Sequence, residues 1–368
     1  MKRILLLSDI NSAHTQKWAG AVAKAGFETG IFSLSAPVSD WYTQLGIQLL
    51  ASDGFEKKHF YSPDILKAIY FFFAGKVKKV IQDFNPDFVH AHYLSSYGTL
   101  GRLSRFHPLI VSAWGSDLQD FPQRSFLHRN LIRRNLECAD IRIASSSILA
   151  KEIEQNFHLS AQIIPFGIDT NRFRPLPEER KRFKEEIVIG TIKSLEPVYA
   201  PEILLRAFAK LVKENTSHSL RLFLVGDGSL EPMLRRLVLE LNISEQVTFE
   251  GKVNYSEVHR FHNQMDIFVN ISLRESFGVA VLEASACGKP VVLSTAEGLR
   301  EVFVQDQTGL AVGIGSIDET AAALSMLIKD RILREKMGEE GRKFVIENFD
   351  WERNVGRLIS LYETKDKQ

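Results

Sequence analysis

The stretch from Ile267 to Val292, IFVNISLRESFGVAVLEASACGKPVV, constrains the fold more than any other part of the chain. Ile267–Ile271 is a short apolar run and Ser272–Ser276 a polar loop. Phe277–Cys287 carries the apolar spacing of a helix, Gly288-Lys289 stops it, and Pro290–Leu293 begins a second buried run. The order is strand, loop, helix, strand. The chain opens the same way: Lys2–Ser8 reads as a strand, Thr15–Ala25 as a helix, Phe27–Leu34 as a strand. Such repeats predict an α/β protein with parallel sheets and ligand loops at the strand C-termini.

Two carboxylates frame the first stretch, Glu275 in the loop and Glu283 inside the helix. Eight residues at helical rise span about 12 Å, roughly the separation of sugar and ribose across a diphosphate. Gly278 lets a ligand approach a fresh helix N-terminus, where unpaired amides favour phosphate. The bland reading is two solvated glutamates. The surrounding pattern argues against it. Phe-Gly follows the first Glu, and Gly-Lys-Pro-Val-Val follows the second. This pattern resembles the family 4 retaining glycosyltransferases of the GT-B fold.

The resemblance runs from the first strand to the helix at Trp351 and is strongest from Ile187 to Leu310. It implies two Rossmann-like, doubly wound domains facing a cleft, with the last helix crossing back to the first domain. Pro165-Phe-Gly-Ile-Asp169 and the proline- and charge-rich stretch to Glu186 read as the linker. The expected division is an acceptor domain over 1–168 joined by 350–368, and a donor domain over 169–349. The 368 residues suffice for two domains, and 45% hydrophobic with 25% charged residues fits soluble cores.

By the resemblance, Glu283 takes the ribose hydroxyls and Glu275 those of the sugar. Lys193, the amides of Phe277, Gly278 and Val279, and Arg274 meet the diphosphate. Gly226 and Lys252 lie in loops near the nucleotide. His92, ending the strand Phe88–His92, is expected to touch the transferred sugar, while His90 reads as a buried, hydrogen-bonded partner on the same face. Asp117, in the loop after Leu109–Ala113, is expected beside the acceptor; as a plain helix cap it serves equally well. Two departures stand out. The loop after the first strand reads Ser-Asp-Ile-Asn-Ser-Ala-His without the usual Gly-Gly, and Val198-Tyr199-Ala200 replaces the Lys-Gly expected after Lys193.

The implied activity is metal-independent hexosyl transfer from a nucleotide-sugar. UDP is favoured, with GDP and ADP as alternatives, and the acceptor is a glycan, lipid-linked or small molecule. No cofactor is expected, and no HExxH or CxxC set calls for zinc. A binding subunit with weakened catalysis is the alternative reading, motivated by Val198 and Tyr199. An epimerase or phosphorylase of the same fold, and a membrane-binding protein without enzymology, are further rivals.

A net charge of +1 argues against a nucleic-acid partner. Residues 1–168 carry 18 Lys+Arg and 14 Asp+Glu, a net +4 that favours an anionic membrane surface. The helix Phe126–Cys138 puts Arg129, Arg133 and Arg134 on one side, and Ala68–Ala74 with Lys76, Lys78 and Lys79 reads as a buried aromatic face or an amphipathic membrane contact. Cys138 and Cys287 imply no disulfide framework and fit a reducing cytoplasm, at the inner face of the membrane if a lipid surface is used.

Overall fold

The computed structural model describes residues 1–52, 67–183, 185–214, 218–275 and 277–364, with the side chains of 67–72 and 180–182 also left undescribed. The chain forms two compact units, Met1–Pro165 with Arg353–Gln368, and Phe166–Glu352.

Unit 1 is built on β1 (Arg3–Leu7), β2 (Glu28–Ser33), β3 (Gln48–Ser52), β4 (Phe88–His92), β5 (Leu109–Ala113), β6 (Ile141–Ala144) and the short β7 (Gln162–Ile163). Their order is β3-β2-β1-β4-β5-β6-β7, every pair parallel. Unit 2 holds β8 (Glu186–Ile192), β9 (Ser219–Val225), β10 (Val247–Gly251), β11 (Ile267–Asn270), β12 (Val291–Ser294) and β13 (Gly309–Val312). The order is β10-β9-β8-β11-β12-β13, again parallel throughout.

Helices cover both faces of a parallel sheet, so its strands are apolar on both sides. Ile4–Leu7 and Val291–Leu293 are accordingly buried along their whole length. Each sheet reverses direction once, between β1 and β4 in unit 1 and between β8 and β11 in unit 2. At such switch points neighbouring loops diverge and leave a crevice at the strand C-termini. His92 ends β4, Lys193 follows β8, and Glu275 lies in the loop after β11. The fold therefore delivers three of the expected site residues to the switch points of their own units.

The boundary between the units lies at Pro165, and the segment after it is packed within unit 2. Ile168 bridges to Asp350, Phe173 is buried against Tyr255, His259 and His262, and the Asn263 side chain clamps the Arg174 carbonyl and the Leu176 amide. A run rich in charge and proline hid one aromatic anchor. The helix expected from Phe277 starts at Val279 and ends at Ala286.

The helix Trp351–Thr364 runs into unit 1, where Tyr362 is buried among Phe27, Phe88 and His90. In the helix Lys67–Phe84, Phe73 and Val77 are buried while Lys78 and Lys79 are exposed, the pattern of a core-facing helix. Its preceding residues 63–66, and the side chains of 68–72, lie outside the described residues.

Candidate functional site

In unit 2 the switch point brings Lys193 and Glu275 into an ion pair, with about a sixth or less of either side chain exposed. The Asn270 side chain, which closes β11, donates to the same Glu275 oxygen at 3.3 Å. The Lys193 ammonium also lies 4.6 Å from the centre of the Tyr199 ring. A small cavity between the ends of β8 and β11 is lined by Lys193, Ser194, Tyr199, Asn270 and Ile271, among others. Tyr199, which stands where a second cation was expected, thus braces the first one. Arg274, the other cation expected at the phosphates, is exposed and pairs with nothing among the described residues. Lys252 is likewise exposed.

Glycine at 278 caps the Val279–Ala286 helix with φ +78°, and a Cβ there would lie 2.7 Å from Leu299. The first amides of that helix have no intrahelical acceptor and gather positive potential. The Phe277 side chain is buried between Phe166 and Phe349, so only its backbone is available to a ligand.

One turn further on, Glu283 is 4% exposed. The Tyr255 hydroxyl donates to its Oε1 at 2.9 Å. His262, fully buried, places Nε2 3.6 Å from its Oε2. Burial outweighs the carboxylate and holds the His262 imidazole below its ordinary range, so it is neutral at pH 7. Tyr255 is itself held by Arg172, whose guanidinium lies 5.1 Å from its ring and donates to its carbonyl at 2.6 Å.

Gly226, expected in a loop near the nucleotide, is also fixed by packing. Its φ is +136°, and a Cβ would fall 2.0 Å from the Lys193 carbonyl oxygen. The Gly226 amide donates to Gly251, and the Lys193 amide to Val225. Backbone crowding against the Lys193 loop requires glycine here.

In unit 1, His90 is held at both nitrogens, by the Tyr362 hydroxyl at 2.6 Å and Ser112 at 2.7 Å, and burial lowers its pKa to about 3. His92 Nδ1 meets the Ser8 hydroxyl at 3.0 Å, and Ser8 meets Thr15 at 2.6 Å. The His92 ring lies 4.7 Å from Trp114, and His14 meets the same indole edge-on at 5.6 Å. Burial, with His90 and His14 beside it, keeps His92 neutral, a state in which it can donate to or accept from a hydroxyl.

Asp117 is fully buried, and its carboxylate accepts from the amides of Leu94, Trp114 and Gly115 at 2.7–3.1 Å. It staples the loops after β4 and β5 together. Burial nevertheless raises its pKa from 3.8 to about 6. Three backbone amides occupy its carboxylate and fix those loops.

Sequence reasoning missed Tyr255, His262, Asn270 and Ser8. Asn270 left a signal, a polar residue ending the apolar run Ile267–Val269. Tyr255 left none, since 28 residues separate it from Glu283. Among the described residues no group of three or more His, Cys, Asp or Glu is arranged to hold a metal ion, and no helix is long and apolar enough to cross a membrane.

Residues 173–344 match the family described as glycosyl transferases group 1, and residues 3–147 match glycosyl transferase 4-like. A D-inositol 3-phosphate glycosyltransferase of Corynebacterium jeikeium is 30% identical over 75% of this chain and 72% of its own. An N-acetyl-alpha-D-glucosaminyl L-malate synthase of Bacillus anthracis is 29% identical over 79% of this chain and 77% of its own. A GDP-mannose-dependent phosphatidylinositol monomannoside mannosyltransferase of Mycolicibacterium smegmatis is 27% identical over 78% and 79%. In fold, the chain is similar to a sucrose-phosphate synthase of Thermosynechococcus elongatus, with TM-score 0.82, 20% identity and coverage of 99% and 98%. The Anabaena protein HepE in complex with UDP gives TM-score 0.82 at 18% identity, over 99% and 100%.

Proposed function

Because this chain belongs to the glycosyl transferases group 1 family and is a nucleotide-sugar-dependent glycosyltransferase, we propose that its unit 2 holds the donor between Glu275 and Glu283. The observation that carries this reading is the meeting of Lys193 and Glu275 at the sheet's switch point, beside the helix capped by Gly278.

In this reading Glu283 accepts the ribose hydroxyls and Glu275 those of the sugar. Charge builds on the leaving diphosphate as its bond to the anomeric carbon breaks. Lys193 and the amides at 277–279 meet that charge, the kind of prearranged stabilisation that dominates many enzymatic rates. The acceptor hydroxyl attacks from the face the leaving group departs, and the leaving phosphate takes its proton. Configuration is retained, and no protein general base is required.

The names of the relatives above carry malate, an inositol phosphate and a phosphatidylinositol monomannoside. The shared chemistry is a polyhydroxyl or hydroxy-acid acceptor, and we extend that class to this chain. UDP- and GDP-sugars are the donors to test first, since the GDP-mannose-dependent relative and the UDP-bound neighbour name those nucleotides. A peripheral membrane contact fits unit 1. Phe126 and Leu127 are 81% and 67% exposed at the start of the helix Phe126–Cys138, flanked by Arg124, Arg129 and Arg134.

The test is nucleotide release from UDP-, GDP- and ADP-sugars with malate, inositol phosphate or phosphatidylinositol vesicles as acceptor. Glu275→Ala and Glu283→Ala are each expected to lose at least 100-fold in turnover. Unchanged turnover in both variants overturns the reading.

A further inference from the structure

The loop that departs from the family pattern has a definite structure. Pro197–Tyr199 forms a single 3-10 turn, closed by the Ala200 amide donating to the Pro197 carbonyl. The Leu273 amide donates to the Val198 carbonyl at 2.8 Å, which ties this turn to the loop bearing Glu275. The Tyr199 ring is thereby a fixed shelf, and the Lys193 ammonium rests over it. A cation over a phenol face is attracted by the ring quadrupole. From that shelf the ammonium reaches Glu275.

The two groups held together serve different parts of a nucleotide-sugar. A lysine belongs to the diphosphate and a carboxylate to the sugar hydroxyls. Each masks the other. Their side chains are only 17% and 13% exposed, so water screens the pair incompletely.

Resting on the donor-site reading above, we propose that Lys193 and Glu275 form an interlock braced by Tyr199, which the diphosphate of the donor must open before Glu275 accepts the sugar. The phosphates draw Lys193 off the carboxylate. The sugar subsite then acquires a free anion only when a nucleotide diphosphate is present. A free monosaccharide finds that subsite closed in the nucleotide-free enzyme. Tyr199 is a positioning residue that acts through Lys193. A second phosphate cation is replaced by a brace for the first.

The interlock makes a prediction that a plain structural ion pair does not. Glu275→Gln keeps the shape of the side chain and removes the charge that restrains Lys193. Calorimetric titration of the full-length protein with UDP, GDP and ADP, each without sugar, should show Glu275→Gln binding the preferred nucleotide at least 3-fold more tightly than wild type. The corresponding nucleotide-sugar should gain nothing or bind more weakly, because its hydroxyls lose their anion. Tyr199→Ala should weaken binding of the free nucleotide and cancel the gain when combined with Glu275→Gln. Tyr199→Phe, which keeps the ring, should restore it. If Glu275→Gln binds the free nucleotide no better than wild type, or loses free nucleotide and nucleotide-sugar in parallel, the interlock is refuted while the donor site stands. If wild type binds none of UDP, GDP and ADP, the donor-site reading fails first, and the interlock with it.

Discussion

Gly226→Ala separates a glycine kept for ligand approach from one kept for packing. The residue sits at φ +136°, a conformation L-residues rarely adopt, and the added Cβ would lie 2.0 Å from the Lys193 carbonyl oxygen. That oxygen is backbone, so it cannot swing aside as a side chain would. Overpacking costs about 1–3 kcal/mol and the forced backbone conformation about 1–3 kcal/mol more. The sum is about 2–6 kcal/mol. At about 2–4 °C per kcal/mol for a unit of this size, the Tm should fall by roughly 4–24 °C. Gly251→Asn is the control. Gly251 has φ +78° with nothing within 4 Å of its Cβ position, and Asn tolerates the left-handed region, so its Tm should stay within about 3 °C of wild type. Differential scanning calorimetry reads both. Because the strained loop carries Lys193, Gly226→Ala should also weaken UDP or GDP binding. A normal Tm with lost nucleotide affinity would refute the packing argument and return Gly226 to the ligand.

Asp117 predicts a pH signature. Its pKa in the fold is about 6 against 3.8 for the free side chain, so the native state retains a proton that the unfolded chain releases between those values. Stability from this group is therefore present at low pH and falls as pH rises through that window, by about 3 kcal/mol. Asp117→Asn should remove that slope, and it should be less stable than wild type at pH 4 because its amide nitrogen faces a backbone N–H; parallel stability curves across pH 4–7 would contradict this. Phe126→Asp with Leu127→Asp should abolish co-sedimentation with phosphatidylglycerol vesicles while leaving turnover on a soluble acceptor intact. Retained sedimentation would show that this patch is not the contact.

The parallel sheets were legible because strands buried on both faces are written as unbroken apolar runs, as in Ile4–Leu7 and Val291–Leu293. His92, Lys193 and Glu275 were placed by the family resemblance and by following apolar runs, and the strand order puts switch points beside them. Other features depend on atoms brought together from distant sequence. Tyr255 reaches Glu283, and Tyr199 reaches Lys193, through turns whose composition announces nothing. Phe173 anchors a stretch whose prolines and charge run read as an interdomain linker. Asp117 shows the converse: its placement in a loop at a strand end is readable, but three backbone amides occupying its carboxylate are not. Gly226 looks like a ligand glycine until the Lys193 carbonyl is placed against it.

The central claim is that unit 2 grips a nucleoside diphosphate, with Glu283 on the ribose. Isothermal titration of wild type and Glu283→Gln with UDP, GDP and ADP tests it most directly. A charge-assisted hydrogen bond contributes about 1.5–3 kcal/mol. Wild type should therefore bind one of the three nucleotides, and Glu283→Gln should bind it roughly 10- to 150-fold more weakly. Equal affinity in the two proteins would contradict the account.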